Sequence, residues 1–273
     1  MDSLHGPPVD QDLLDFAVDL AYRAGELAAE RFFAGEVHTS RKPDGSEVTT
    51  FDLEVEGLVR AELARYAPRD AVHGEEMGTT AGDSGRRWVV DPIDGTYYFV
   101  RRMPLFNTRL AVEDEHGPAI GVIREPIARQ TVFAGRGRGC WRSTDGGDVT
   151  RAHVGDRRKL SGARTGMGNP GTWSEELLFA LHRRVFLFPS GGTVGVATGQ
   201  LDAYVIAGAP MGYEDLAPLP VIIGEAGGRV TDLTGAPVLS GDGTVLITNG
   251  HLHDDLLALV RGLPTARDWK ALG

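Results

Sequence analysis

Cysteine is nearly missing from this chain of 273 residues: Cys140 stands alone, so no intramolecular disulfide can form and a reducing compartment is expected. A thiol nucleophile would want a histidine partner that the sequence does not show, so Cys140 reads as structural. A surplus of positive charge is missing too. Lys and Arg number 28 against 38 Asp and Glu, a formal charge of -10 with no basic stripe. That balance argues against binding nucleic acid or an anionic membrane through charge. No apolar run approaches the roughly 18 residues of a membrane span. The N-terminal stretch carries Pro7, Pro8 and acids in place of a basic-then-apolar leader, so a cytoplasmic location is expected. Internal repeats and low-complexity tracts are lacking.

What is present is a hydrophobic content of 41%, enough for one large core or two smaller ones. Residues 10–33 repeat apolar side chains at helical spacing (Leu13, Ala17, Leu20, Ala21, Ala24, Leu27, Ala28, Phe32), with Asp10 as cap and Gly35 after the end. A turn is expected at Asp44-Gly45, and a second helix from Thr50 to Tyr66. A short strand running into two acids follows at 71–76 and another strand at 87–91, then alternating strands at 106–113, 119–124, 130–134 and 139–142. The polar stretch 143–159 suggests a boundary. The expected halves are 1–145, α+β with an antiparallel sheet, and 146–273, where helical and strand patterns alternate as in α/β proteins. In the second half, helices are expected near 173–184, 193–200, 215–226 and 252–261.

The chemistry lies in the acids. Arg87-Trp88-Val89-Val90-Asp91 reads as a buried strand ending at a carboxylate. Pro92 denies the next N–H to a sheet ladder, so the chain is expected to leave the sheet there. The Ile93 carbonyl is then free to act as a ligand. Gly95 permits a tight turn, and Thr96 starts a short segment whose N–H groups suit a phosphate. Glu75 and Glu76 follow a strand, where neighbours point to opposite faces, and Glu75 is the inward choice. Each remaining acid has an ordinary explanation. Asp52 completes a capping box with Thr49, and Asp215 begins a helix. If Glu75, Asp91, Asp94 and Asp215 converge, however, like charges near 4 Å repel by about 4 kcal/mol per pair, and the cluster needs cations. Oxygen ligands without Cys or His select Mg²⁺, Mn²⁺ or Ca²⁺.

Asp91-Pro92-Ile93-Asp94-Gly95-Thr96 resembles the signature of the inositol monophosphatase family. So do Gly74-Glu75-Glu76, Lys42-Pro43-Asp44 with Val48-Thr49-Thr50-Phe51-Asp52, and Asp215-Leu216-Ala217 leading to Glu225-Ala226-Gly227-Gly228. Asp215-Leu216-Ala217-Pro218-Leu219 and Thr248-Asn249-Gly250-His251-Leu252-His253-Asp254 look like the histidinol-phosphate phosphatase branch. The resemblance implies the sugar-phosphatase αβαβα layered sandwich, an α/β fold, commonly a homodimer. It implies hydrolysis of a small polyol, sugar or amino-alcohol phosphate by metal-activated water, with Mg²⁺ as cofactor and Mn²⁺ as a substitute. In the roles it implies, Glu75, Asp91, Asp94, Asp215 and the Ile93 carbonyl are metal ligands. Asp52 and Thr96, with Glu75, are catalytic. Gly95 and Thr96 hold the phosphate.

Several positions depart from the family pattern. Tyr97 and Tyr98 stand where the family is less aromatic; they either shape the substrate pocket or pack. Gly208 replaces an acid that contacts substrate, and Glu214 is a candidate to substitute for it. Pro218 and Pro220 imply a loosened first turn or a later start for the helix that begins at Asp215. Two alternatives are a nucleotide or bisphosphate phosphatase of the same superfamily, for which Arg101, Arg102 and Arg109 would supply charge, and a non-catalytic metal-binding scaffold.

Overall fold

The computed structural model describes residues 6–35, 39–41, 47–189 and 192–268. The turn expected at Asp44-Gly45 lies outside them. The chain divides between Arg151 and Ala152 into two units.

In the N-terminal unit, α1 spans Gln11–Phe33 and α2 spans Thr50–Tyr66. Asp10 caps α1 by accepting the Asp12 N–H at 3.0 Å. The apolar face of α1 is buried as expected, apart from a half-buried Leu27. Thr49 and Asp52 form the reciprocal cap of α2: Asp52 Oδ2 accepts the Thr49 N–H at 2.8 Å, and Thr49 Oγ1 accepts the Asp52 N–H at 3.3 Å. Before α2, β1 (Thr39–Arg41) and β2 (Glu47–Thr49) pair antiparallel.

The main sheet of this unit has eight strands: β3 (Ala71–Gly74), β4 (Gly78–Thr80), β5 (Arg87–Asp94), β6 (Asn107–Asp114), β7 (Gly117–Glu125), β8 (Gln130–Gly135), β9 (Gly139–Thr144) and β10 (Thr150–Arg151). Their order is β10-β9-β8-β7-β6-β5-β3-β4, antiparallel except for the parallel pair β3 and β5. Residues 146–151, expected in the second half, belong to this unit because Thr150 and Arg151 pair with Arg142 and Trp141. One face of the sheet packs on α1 and α2, where Trp88, Val90, Ile93, Leu110 and Val122 meet Ala17, Leu20, Val55 and Val59. Cys140 is fully buried in β9.

β5 does not stop at Asp91. It bulges: Asp91 pairs with Arg109 and Asp94 with Asn107, so Pro92 and Ile93 face Thr108 alone. Pro92 needs no ladder donor at the bulge, and its carbonyl accepts the Thr108 hydroxyl at 2.9 Å. The acid pair thus lies inside the strand, not beyond it. Helix α3 (Thr96–Val100) follows directly.

In the C-terminal unit, β11 (Arg164–Gly168), β12 (Phe186–Phe188), β13 (Ala203–Ile206), β14 (Arg229–Thr231) and β15 (Val245–Thr248) form a sheet in the order β12-β11-β13-β15-β14. It is mixed, with β11 parallel to both neighbours and β15 antiparallel to both. Helices α4 (Glu175–His182), α5 (Gly192–Ala197), α6 (Tyr213–Leu216), α7 (Leu219–Glu225) and α8 (His253–Val260) accompany it. Leu177, Leu181, Leu256 and Val260 of α4 and α8 pack on Ala203, Val205 and Leu246. All four residues of β15 are buried, as in a strand covered on both faces.

The single helix expected at 215–226 is two, α6 and α7. Pro218 sits at the junction as the N-cap of α7, and Pro220 falls in its first turn, where a missing N–H costs least. Among the described residues, no helix is long and apolar enough to cross a membrane.

Candidate active site

The β3–β5 pairing positions the first acids. Gly74 lies opposite Val90 in parallel register, and the Glu75 N–H continues the ladder by donating to the Val90 carbonyl at 3.1 Å. The backbone of Glu75, the first residue of the turn after β3, is thereby held at the end of the β3–β5 ladder, beside the strand position of Asp91.

Asp91 is 2% exposed, and one of its carboxylate oxygens lies within 4.8 Å of one from Asp94. Two full charges at that spacing repel by about 3 kcal/mol at an effective dielectric near 20. The protein offsets part of this repulsion. Asp94 Oδ2 accepts from Arg109 Nη2 at 2.5 Å and from Asn107 Nδ2 at 2.6 Å. Arg109 is buried beside its neighbour, with Nε donating to Asn107 Oδ1 at 3.1 Å.

The donors of this stretch are carboxylates and one carbonyl, with no thiolate or imidazole among them. They fit a hard divalent cation such as Mg²⁺ and do not fit zinc.

Asp52 is the most enclosed acid of the set, with 0% exposure at the start of α2. Its Oδ2 accepts the Thr49 hydroxyl and N–H. Its Oδ1 lies 3.1 Å from the Thr96 hydroxyl, which is also 3.0 Å from the Ile93 carbonyl. That hydroxyl has one proton and serves one acceptor at a time. Burial pushes the Asp52 carboxyl up from its usual range, while the Thr49 and Thr96 donors pull it back. Asp52 therefore caps α2 and also reaches Thr96.

Gly95 has φ +89°, a left-handed conformation that lets α3 begin immediately after the acids. In α3 the Tyr97 side chain is outside the core at 56% exposure, with the Arg101 guanidinium 3.6 Å from its ring centroid. The half-buried Tyr98 meets it edge-on at 5.4 Å.

The three arginines considered for a second phosphate are engaged. Arg101 also binds Glu47, Arg102 reaches the Phe32 carbonyl, and Arg109 holds Asp94.

In the C-terminal unit, Asp215 lies in the one-turn helix α6, where Oδ2 accepts the Gly212 N–H at 3.0 Å. The Glu214 carboxylate folds back against Gly212. Gly208 has φ +83°, and a Cβ there would lie 2.5 Å from the Thr172 carbonyl oxygen. The backbone at 208 has thus been rebuilt around glycine, and no side chain fits.

In the stretch 248–254, Thr248, Asn249 and His253 are held by hydrogen bonds within the unit. Thr231 donates its hydroxyl to the Asp232 carbonyl at 2.7 Å, so it can only accept from His253 Nε2 at 3.0 Å. Nδ1 then accepts from Thr248, also at 3.0 Å. His253 is fully buried, and burial lowers its pKa to about 4. Asn249 ties the same turn to the Arg157 carbonyl at 2.8 Å.

Sequence reasoning missed Asn107 and Glu56. Asn107 gave no signal. Glu56 stands four residues after Asp52 on α2, a spacing that puts both on one face.

Comparison with known proteins supplies the frame for these residues. The profile of the inositol monophosphatase family matches residues 10–265. A histidinol-phosphatase of Mycobacterium tuberculosis is 36% identical over 257 residues, covering 91% of this chain and 98% of that protein. An inositol-1-monophosphatase of Mesorhizobium japonicum is 31% identical over 268 residues, covering 93% and 98%. The solved structure of the extragenic suppressor protein SuhB from Bartonella henselae superposes with a TM-score of 0.81 at 25% identity, covering 92% of this chain and 99% of that one.

Proposed function

Because the chain belongs to the inositol monophosphatase family, and is thereby a phosphoric monoester hydrolase, we propose that it hydrolyses a small polyol, sugar or amino-alcohol phosphate with Mg²⁺, and that Mn²⁺ can stand in. The observation that carries the reading is the contact of the buried Asp52 with the Thr96 hydroxyl, two residues after Asp94.

In this proposal Glu75, Asp91, Asp94, Asp215 and the Ile93 carbonyl hold the metal. When bound, the metal supplies an activated water and offsets negative charge on the phosphate. The chain's own residues do the remaining work. Thr96, donating its one proton to Asp52, keeps its lone pairs for a hydrogen of the attacking water and so orients it. Asp52, raised by burial, is a better proton acceptor than an exposed carboxylate. The N–H groups of Gly95 and Thr96 face the phosphate oxygens, and no covalent phosphoenzyme is required. Tyr97 and Tyr98 border the substrate. With position 208 closed to any acid, Glu214 is the carboxylate left to meet an amine or hydroxyl of the leaving group. A cytoplasmic homodimer belongs to the same proposal.

The test is phosphate release from a panel holding histidinol phosphate, inositol phosphates, sugar phosphates and adenosine bisphosphate, with Mg²⁺ and with excess chelator. Release from a monoester that stops with chelator is the expected result. Undiminished turnover in chelator would sink the metal-dependent mechanism.

A further inference from the structure

Helix α2 carries three charged or polar residues four apart on one face: Asp52, Glu56 and Arg60. The first reaches Thr96. The other two do something the reaction does not by itself require. Glu56 has 0% exposure, and a carboxylate taken fully out of water is costly unless every lone pair is used. Here the donors are one turn of chain and one arginine of the same helix. Glu56 Oε2 accepts the Glu76 N–H at 2.8 Å, Oε1 accepts the Met77 N–H at 3.2 Å, and Arg60 Nε donates to Oε1 at 2.7 Å. Arg60 continues to the far side of the same turn, with Nη1 at 2.9 Å from Thr80 Oγ1 and Nη2 on the Gly78 carbonyl. From the near side, Gly74 presses on the carboxylate so closely that a Cβ at 74 would overlap it.

Glu75 therefore sits between two grips on one carboxylate. The residue before it has no side chain because Glu56 occupies that space. The residue after it donates its N–H to Glu56. Its own N–H is fixed on the Val90 carbonyl of β5.

We propose that Glu56, braced by Arg60, is a positioning residue that sets Glu75 against the Asp91–Asp94 step and thereby tunes metal affinity. The proposal rests on the reading of Glu75 as a metal ligand. α2 then works as a rigid ruler. Asp52 and Glu56 lie about 6 Å apart along its axis, one locating Thr96 and the other locating Glu75. The alternative role for the same contacts is simple closure of the β3–β4 turn, which would affect stability alone.

Calorimetric titration of Mn²⁺ into substrate-free protein separates the two, together with hydrogen exchange of the Glu76 and Met77 amides in metal-free protein. For Glu56→Gln the expected result is metal binding about 10-fold weaker, faster exchange at both amides, and turnover at saturating metal within a few-fold of wild type. Gly74→Ala pushes on the same carboxylate from the other side while leaving Glu56 and Arg60 in place. It is expected to weaken binding likewise, and it serves if Glu56→Gln does not fold. Glu75→Gln, run in parallel, should weaken binding more than either and leave exchange at Met77 unchanged. Faster exchange in Glu56→Gln and Gly74→Ala with wild-type metal affinity, while Glu75→Gln weakens it, would overturn the positioning role and leave the ligand reading standing. Wild-type affinity in Glu75→Gln would overturn the ligand reading, and the proposal with it.

Discussion

His253 shows how much one side chain's surroundings can decide. It lies between Thr231 and Thr248 with both ring nitrogens used, and the two threonine protons dictate a neutral ring with the proton on Nε2. Protonation would put a second N–H against a hydroxyl already committed as a donor. Its folded pKa of about 4 lies below the ordinary 6.5, so the unfolded chain takes up a proton that the folded chain refuses. Above pH 6.5 the contribution to stability is complete; it is lost as pH falls from 6.5 towards 4. Urea unfolding should show up to about 3 kcal/mol lost over that window, a slope that disappears in His253→Gln. From the sequence, this histidine could be recognised only as part of a branch-like motif. The same limit applies to Glu56: a glutamate on a helix reads as a solvated face until the turn at residues 74–77 is seen to close over it.

Elements were legible where caps and periodicity agree. The span of α2 follows from the Thr49–Asp52 box, and α1 from its apolar face and Asp10. Strand β11 was hidden because Arg164–Gly168 carries two glycines and takes its place from parallel neighbours far away in sequence. The run of β5 past Pro92 was hidden for a related reason: proline forbids a ladder bond but tolerates a bulge, and a bulge is specified by the partner strand. The acids themselves were legible because Asp91, Asp94 and Glu75 end or interrupt otherwise apolar strands.

The turn at 207–210 supports a sharper expectation. Because Gly208 combines a left-handed φ with close approach to Thr172, Gly208→Glu cannot install a substrate contact there. It is expected to cost about 2 kcal/mol or more, read as a lowered melting temperature, with no gain in KM for any phosphate on the panel.

At the scale of the whole molecule, the proposed Mg²⁺ site makes stability depend on the cation, because the buried Asp91 lies within 4.8 Å of Asp94 and a bound cation offsets their repulsion. A ligand that binds only the folded state adds about 3 kcal/mol at 100 times its Kd. Scanning calorimetry in Mg²⁺ and in chelator should therefore show a higher transition with Mg²⁺. In Asp91→Asn the gain should vanish, while the metal-free variant is no less stable than wild type because a buried negative charge has been removed. Equal transitions in Mg²⁺ and chelator for the wild type would refute the linkage.

The lone Cys140 has one more use. It is enclosed in β9, one strand in from the edge of the N-terminal sheet, and the chain has no second thiol to compete with it. A thiol-reactive dye added to the native protein can label only molecules whose sheet has opened, so the labelling rate is a clock for the opening of that unit alone. The C-terminal unit, which carries no cysteine, stays silent in the same measurement.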